Sequence, residues 1–256
     1  MPASEVGVFG VVGPTGSGKT ALAVELCQRF GGEIVGLDAS QLYTGLDIGT
    51  GKATSEELKG VAHHLLNLIE PGERFDAARY VRAADACIRG ITARGRVAIL
   101  CGGTGLYLRA LLEGLCEAPP VSALVKTHLE ALLIKSGLGS LREQLSEVDP
   151  MTAARLGQND QQRIIRALGV YMTSGRTLSD WRADQSKGPA RYPSRIVGIH
   201  WPRPILNRRI ETRIDAMWSA GWVDEVATLW KRYGGDVMND IKAIGYRIIG
   251  QFLAGE

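Results

Sequence analysis

Eight consecutive residues, Gly13-Pro14-Thr15-Gly16-Ser17-Gly18-Lys19-Thr20, form a complete G-x-x-x-x-G-K-[ST] phosphate-binding loop. It constrains the fold tightly, because such a loop works only at the turn from a buried strand into a helix. Both flanks are present. Val6 to Val12 is an apolar run that reads as a buried strand, and Ala21-Leu22-Ala23-Val24-Glu25-Leu26 reads as a helix. At that junction the glycines let backbone N–H groups curl inward as an anion nest, and the helix N-terminus adds partial positive charge. Lys19 is placed to reach the outer phosphates, and the Thr20 hydroxyl suits the shell of a Mg²⁺ ion. The chain is therefore expected to bind a di- or triphosphate.

Two further apolar runs read as parallel strands. Glu33-Ile34-Val35-Gly36-Leu37 ends at Asp38, and Arg96-Val97-Ala98-Ile99-Leu100-Cys101 ends at Gly102-Gly103-Thr104. Amphipathic segments such as Ala77 to Arg94 accompany them. Strands alternating with helices predict an α/β fold, a P-loop NTPase-like parallel sheet flanked by helices on both faces. Ligands in such sheets sit at the carboxyl ends of the strands, where Lys19, Asp38 and Thr104 all fall. From Pro119-Pro120 onward the pattern turns helical: Leu124 to Leu133, Leu138 to Glu147 and Asn159 to Thr173, then a looser stretch from Gln185 to Ser194 with Gly188, Pro189 and Pro193. Arg195 to His200 reads as a strand again, and Ile205 to Tyr233 as one or two helices. The expected organisation is an α/β core of residues 1–118 and 191–256 with a helical insertion domain, 119–190.

Composition is that of a soluble globular protein: 256 residues, 45% hydrophobic and 22% charged. No apolar run approaches the ~18–20 residues that span a bilayer, and no basic-then-apolar leader opens the chain, so a cytoplasmic protein without membrane contact is expected. Cys27, Cys87, Cys101 and Cys116 stand singly, without the paired spacing of a zinc or disulfide framework. A net charge of +3 permits a nucleic-acid partner without requiring one.

The chemistry at the strand ends is unusual for an ATP-using enzyme, which carries an acid after its second apolar strand to hold Mg²⁺. Here Cys101-Gly102-Gly103-Thr104 stands there instead. The strand-end acid is Asp38, which reads either as a general base or Mg²⁺-ordering group beside bound phosphate, its strand lying next to that of the loop, or as a helix N-cap. Thr104 reads equally as a turn residue or as a site hydroxyl, with Gly102-Gly103 freeing N–H groups toward the same edge. Arg163 and Arg166 share a helix face at i,i+3, Arg209 and Arg213 do so at i,i+4, and Lys242 and Arg247 flank Gly245-Tyr246. Such clusters are ordinarily solvated, yet beside Gln and Asn they also suit phosphates and base edges in RNA. His63-His64 has no further ligand at metal spacing, so packing or turn hydrogen bonds are expected of it. Trp218, Trp222 and Trp230 have helical spacing and are expected in the core.

Taken in order, the loop at 13–20, Leu37-Asp38-Ala39-Ser40-Gln41-Leu42-Tyr43, Gly45-Leu46-Asp47-Ile48-Gly49-Thr50-Gly51-Lys52, His63-His64-Leu65, Gly102-Gly103-Thr104-Gly105-Leu106-Tyr107 and Asn159-Asp160-Gln161-Gln162-Arg163-Ile164-Ile165-Arg166-Ala167-Leu168 resemble the tRNA dimethylallyltransferases, also called tRNA isopentenyltransferases. The loop alone is generic; the others in this order and spacing are specific. The resemblance implies transfer of a dimethylallyl group from dimethylallyl diphosphate to N6 of adenosine 37, beside the anticodon of tRNA. The loop would then hold a prenyl diphosphate rather than ATP, and no acidic strand end is required.

The same likeness makes Asp38 the general base, puts Thr104 near the reacting groups, and sets Arg213 with Lys19 and a Mg²⁺ ion on Thr20 against the leaving group. It implies that Asp38, Ala39, Ser40, Gln41 and Thr104 read a flipped-out base. Lys126, Gln162, Arg163, Ile164, Ile165 and Arg166 match tRNA-contacting positions, as does the segment from Ile241 through Lys242 to Arg247. A monomer is expected. Two departures stand out: Ala39 occupies a position that is often Ser, and the chain ends at Glu256 where the resemblance implies a further basic helix supporting tRNA binding. The donor site is expected to be whole regardless. The alternative reading is a small-metabolite or nucleotide kinase with ATP in the loop.

Overall fold

Strands β1 (Val8–Val12), β2 (Gly32–Leu37), β3 (His63–His64), β4 (Val97–Gly102) and β5 (Ser194–Gly198) pair in parallel in the order β3-β2-β4-β1-β5. This is a computed structural model that describes residues 7–185 and 189–255. Val6, the first residue of the expected opening strand, and Gly188 of the looser stretch lie outside the described residues. By its internal contacts the chain divides into two units, 1–112 with 191–256, and 113–190, where the sequence reading drew the line at 119.

The sheet unit carries α1 (Lys19–Phe30), α2 (Ser55–Leu58), α3 (Ala77–Ala93) and α4 (Gly105–Glu113). Alternate residues of β2 and β4 feed two separate cores, as the two-residue period of a strand requires. Ile34, Ile99 and Cys101 join Val11 against Ala23, Val24 and Cys27 of α1. Val35, Leu37, Ala98 and Leu100 pack on the other face against Tyr80, Ala84, Ile88 and Ile91, the apolar stripe of α3, and Tyr107 and Leu111 of α4. Tyr80 stacks on Tyr107 at 4.2 Å and donates its hydroxyl to Gly36 O at 3.0 Å.

The helical unit holds α5 (Ala123–Val148), α6 (Pro150–Arg155), α7 (Gln161–Ser174) and α8 (Leu178–Gln185). Gly137, at φ 75 and ψ 171, breaks α5 where the sequence leaves a gap between two helical patterns. Its core gathers Leu129, Leu141, Leu145, Ile164 and Leu168. Asp149 is buried and accepts from the N–H groups of Thr152 and Ser179, capping two helices with one carboxylate. Returning to the sheet unit, the chain forms α9 (Arg203–Ser219), α10 (Trp222–Tyr233), α11 (Gly235–Asp240) and α12 (Tyr246–Ala254), the last three sharing a core of Leu46, Trp222, Val226, Met238 and Tyr246. No helix among the described residues is long and apolar enough to cross a membrane.

Two expectations are corrected, and the place of the tandem histidines is defined. The strand bearing Asp38 does not neighbour the loop strand; β4, buried on both faces, lies between them. Trp218 is 46% exposed on α9, a helix with no buried residue, whereas Trp222 is buried. The tandem histidines form an edge strand, and His64 Nε2 lies 2.6 Å from Glu33 Oε2.

Glu33 is buried at the amino end of β2, where Arg94 donates to it through Nε and Nη2 at 3.1 and 2.7 Å. The Arg94 hydrogen bonds, followed by that of His64, outweigh burial and hold the carboxyl at about 2 against an ordinary 4.5. A depressed carboxyl stabilises the fold fully above the unfolded value, and that stability is lost as pH falls through the folded one. Glu33→Gln is therefore expected to lower the thermal midpoint at neutral pH and to flatten its decline between pH 4.5 and about 2, measured by circular dichroism melts. A variant that declines as steeply as the parent would sink this account.

Candidate active site

The carboxyl ends of β1, β2 and β4 open on a cavity of about 1410 Å³ inside the sheet unit, lined by Lys19, Thr20, Asp38, Thr104, Arg213 and Lys242 among others. Pockets for single small ligands run to about 300–1,000 Å³, so there is room for a diphosphate and a second reactant together.

The loop is built as an anion cradle. Gly18 turns into α1 at φ 92, a conformation cheap only for glycine, and no side chain among the described residues caps the helix. The first-turn amides of α1 therefore stay available to an anion. Lys19 Nζ donates to Pro14 O at 2.7 Å. Two loop carbonyls are held by a later part of the chain: Trp201 Nε1 donates to Ser17 O at 3.0 Å, and Arg209 Nε to Gly16 O at 2.8 Å. The Arg209 guanidinium lies over the Trp201 ring, 5.0 Å from its centre. Because a trans peptide points its C=O and N–H in opposite directions, holding the Ser17 carbonyl turns the Gly18 N–H the other way. Ser17 Oγ is buried without a partner among the described residues. Gly13, Pro14 and Thr15 line the cavity; Gly16, Ser17 and Gly18 do not.

Across the cavity Asp38 Oδ1 accepts from Ser40 N at 3.0 Å and Ser40 Oγ at 2.6 Å. No helix follows, so the N-cap alternative falls: Asp38 closes a tight turn with one oxygen, and its other oxygen has no protein hydrogen bond among the described residues. Thr104 Oγ1 accepts from Ala39 N at 3.1 Å, tying that turn to the end of β4. The N–H groups of Gly103 and Thr104 are not free, since both donate to Leu37 O. Gln41 Nε2 donates to Thr50 O and Gly51 O, and Arg213 Nη2 reaches Thr50 O at 3.3 Å. Burial pulls the Lys19 ammonium below its ordinary value, with nearby Arg213 adding to the effect and Cys101 and Asp38 opposing it. Burial likewise pushes the neighbouring Cys101 thiol up to about 11. Two half-buried cations facing one space favour an anion there.

Residues 41–256 match the model of the IPP transferase family. The chain belongs to that family. It is 46% identical over 246 residues to the tRNA dimethylallyltransferase of Anaeromyxobacter dehalogenans strain 2CP-C, covering 96% of this chain and 82% of the relative. To that of Sorangium cellulosum strain So ce56 it is 42% identical, covering 96% and 78%. Among solved structures it resembles the tRNA isopentenylpyrophosphate transferase of Bacillus halodurans, with TM-score 0.67, 33% identity and coverage of 98% and 78%. It also resembles a eukaryotic dimethylallyltransferase acting on tRNA, with TM-score 0.76, 25% identity and coverage of 90% and 57%.

Within this IPP transferase the remaining candidates are scattered. Lys242 lines the cavity, and Arg247 is exposed on α12. In the helical unit Lys126 is exposed and pairs with Glu130, while Gln162 and Arg163 are exposed at the start of α7. Ile165 is half-buried. The run 162–166 does not present one RNA-facing surface, because a helix must bury part of its circumference: Ile164 is wholly buried, and Arg166 Nη1 and Nη2 donate to Pro119 O and Ala118 O. Trp201 and Arg209 are the residues that sequence reasoning left out of the site. Only the i,i+4 spacing of Arg209 with Arg213 pointed to either. Trp201→Phe removes one outside hold on the loop and is expected to weaken inorganic pyrophosphate about three- to ten-fold, the worth of one hydrogen bond. Isothermal titration calorimetry reads this, and unchanged affinity would show that the loop holds its shape unaided.

Proposed function

We propose that this chain transfers a dimethylallyl group from dimethylallyl diphosphate to N6 of adenosine 37 beside the anticodon of tRNA, releasing diphosphate. The observation that carries the reading is the meeting of Asp38, Lys19, Thr20 and Arg213 on one cavity at the sheet's carboxyl edge. Prenyl transfer to tRNA is also the activity in the names of its relatives.

In this reading the loop amides and Lys19 bind the diphosphate from one side, and Arg213 faces it from the other. The N6 lone pair forms a bond to C1 of the dimethylallyl group while the C1–O bond breaks, its electrons leaving on the diphosphate. Fixed cations and N–H donors meet the charge that develops. Asp38, oriented by Ser40 and by the Thr104–Ala39 contact, takes the N6 proton on its unbonded oxygen. A stacked adenine is out of reach of such a group, so the base leaves the stack to react.

A Mg²⁺ ion fits the residues present. Among the described residues no three His, Cys, Asp or Glu side chains cluster as a metal site, and Mg²⁺ characteristically rests on one or two protein oxygens plus substrate phosphates. Thr20 Oγ1 is the protein oxygen suited to it, and the ion when bound supplies positive charge to the leaving diphosphate. Lys126, Gln162 and Arg163 of the helical unit, with Lys242 and Arg247, supply the tRNA contacts of this reading. The kinase alternative is not favoured: β4 ends on Cys101 and Gly102 without an acid, and the relatives are named tRNA dimethylallyltransferases.

Mass spectrometry of an A37-containing anticodon stem-loop after incubation with donor and Mg²⁺ tests the reaction. A gain of one dimethylallyl group is expected, and ATP-dependent phosphorylation instead would refute it. Asp38→Ala is expected to keep donor binding while reducing transfer by about 10²–10⁴-fold, the usual worth of a general base. Lys19→Ala and Arg213→Ala are expected to weaken stabilisation of the thermal midpoint by the donor, and unchanged turnover in both would remove their leaving-group role.

A further inference from the structure

The motif Gly45 to Lys52 has no regular secondary structure, yet it is held from several sides. Glu225, in the first turn of α10, accepts from three consecutive backbone amides: Asp47 N at 2.9 Å, Ile48 N at 2.7 Å and Gly49 N at 3.2 Å. Tyr246, at the start of α12, donates its hydroxyl to the same carboxylate at 2.5 Å. Lys52 Nζ, almost wholly buried, donates to Tyr43 O at 2.5 Å and Asp47 Oδ1 at 2.7 Å, closing the loop on itself. The indole of Trp222 leaves no room for a side chain at Gly49.

What this loop presents to the cavity is a seat for Arg213. Thr50 O accepts from Arg213 Nη2 at 3.3 Å, and Gln41 Nε2 supports the same carbonyl at 3.1 Å. Gly51 stands at φ +60, and a Cβ there would fall 1.7 Å from Arg213 Nη2, so the guanidinium rests on bare backbone. Arg213 projects from α9, which buries none of its residues. Its long side chain has several rotatable bonds to fix, and this loop does the fixing.

The geometry points to Glu225 as a positioning residue: by gathering the amides of 47–49 it sets the Thr50 carbonyl and Gly51, and with them the place where the Arg213 guanidinium meets the diphosphate. Glu225 is not among the residues lining the cavity and takes no part in bond making. This inference rests on the reading of Arg213 as the cation facing the leaving group. It gives the Gly45–Lys52 motif a task, and it explains why a half-buried acid ringed by amides sits on a helix remote in sequence from the loop. Charge-assisted hydrogen bonds to several amides are among the stronger contacts available to a loop.

A double-mutant cycle with inorganic pyrophosphate and Mg²⁺, read by isothermal titration calorimetry, tests it. Glu225→Gln is expected to weaken pyrophosphate about ten-fold in the parent chain, yet less than about two-fold in an Arg213→Ala background, since coupled residues are non-additive. A merely structural role predicts the same loss in both backgrounds, and that result, or no loss in either, overturns the proposal. Tyr246→Phe deletes one hydrogen bond to the carboxylate and is expected to give a smaller loss with the same dependence on Arg213. Should Glu225→Gln fail to fold, the cycle with Tyr246→Phe decides on the same criterion. A parent chain that binds no pyrophosphate refutes the diphosphate reading itself; a parent that binds it, with additive variants, refutes only the role of Glu225.

Discussion

An anion cradle made of backbone amides depends on the carbonyls of the same peptides being turned away and kept there. In this chain that condition is met by contacts almost two hundred residues distant in sequence: the Trp201 indole on Ser17 O and the Arg209 side chain on Gly16 O. Trp201 follows β5 directly and Arg209 lies on α9, so the strand that closes one edge of the sheet delivers the group that shapes the loop. The same helix carries Arg213 one turn further on. Loop and opposing cation are thereby registered by one element, which is how a site held mostly by exposed and half-buried side chains keeps a defined geometry.

The electrostatics follow from that arrangement. Lys19 and Arg213 face one cavity, and burial together with mutual repulsion disfavours the charge of Lys19 there. Asp38 compensates in part. A site left this way is poised for a multiply charged anion, which relieves repulsion that protein groups leave in place. The transferable group meanwhile needs an apolar space, and Tyr107, Phe75, Ile214 and Met217 line the same cavity.

Much of this was legible in the chain. The strand, loop and helix at 8–30 announced themselves through a motif whose chemistry demands that context, and Gly137 separated two helical patterns that the fold does break. The sheet order was not legible, because periodicity reports which residues are buried and says nothing of which strand lies beside which. His63-His64 escaped as a strand for a related reason: two residues are too few to show alternation, and their pairing is fixed by β2 and by Glu33. Gly102-Gly103 was read as freeing amides, but the Gly103 and Thr104 N–H groups bond to Leu37 O, and the Thr104 hydroxyl accepts from Ala39 N. Trp201 and Glu225 act through hydrogen bonds between distant segments, and no local pattern encodes such a contact.

The corrected sheet order is itself part of the chemistry. With β4 between β1 and β2, the residues after β4 can touch the turn that carries Asp38 on one side while the loop after β1 occupies the other. Thr104 bonds to Ala39, and Gly103 and Thr104 close onto Leu37, so the turn that carries Asp38 is fastened to β4 independently of whatever occupies the cradle. Had β2 lain directly beside β1, the carboxylate would have stood against the phosphate site, where an anion raises its proton affinity and repels the ligand. One intervening strand, about 4.8 Å of sheet on each side, leaves space between the phosphate loop and Asp38 for the carbon electrophile of the proposed reaction. In the proposed reaction an in-line displacement uses that separation: the diphosphate would depart toward Lys19 and Arg213 as the proton moves the opposite way, to Asp38.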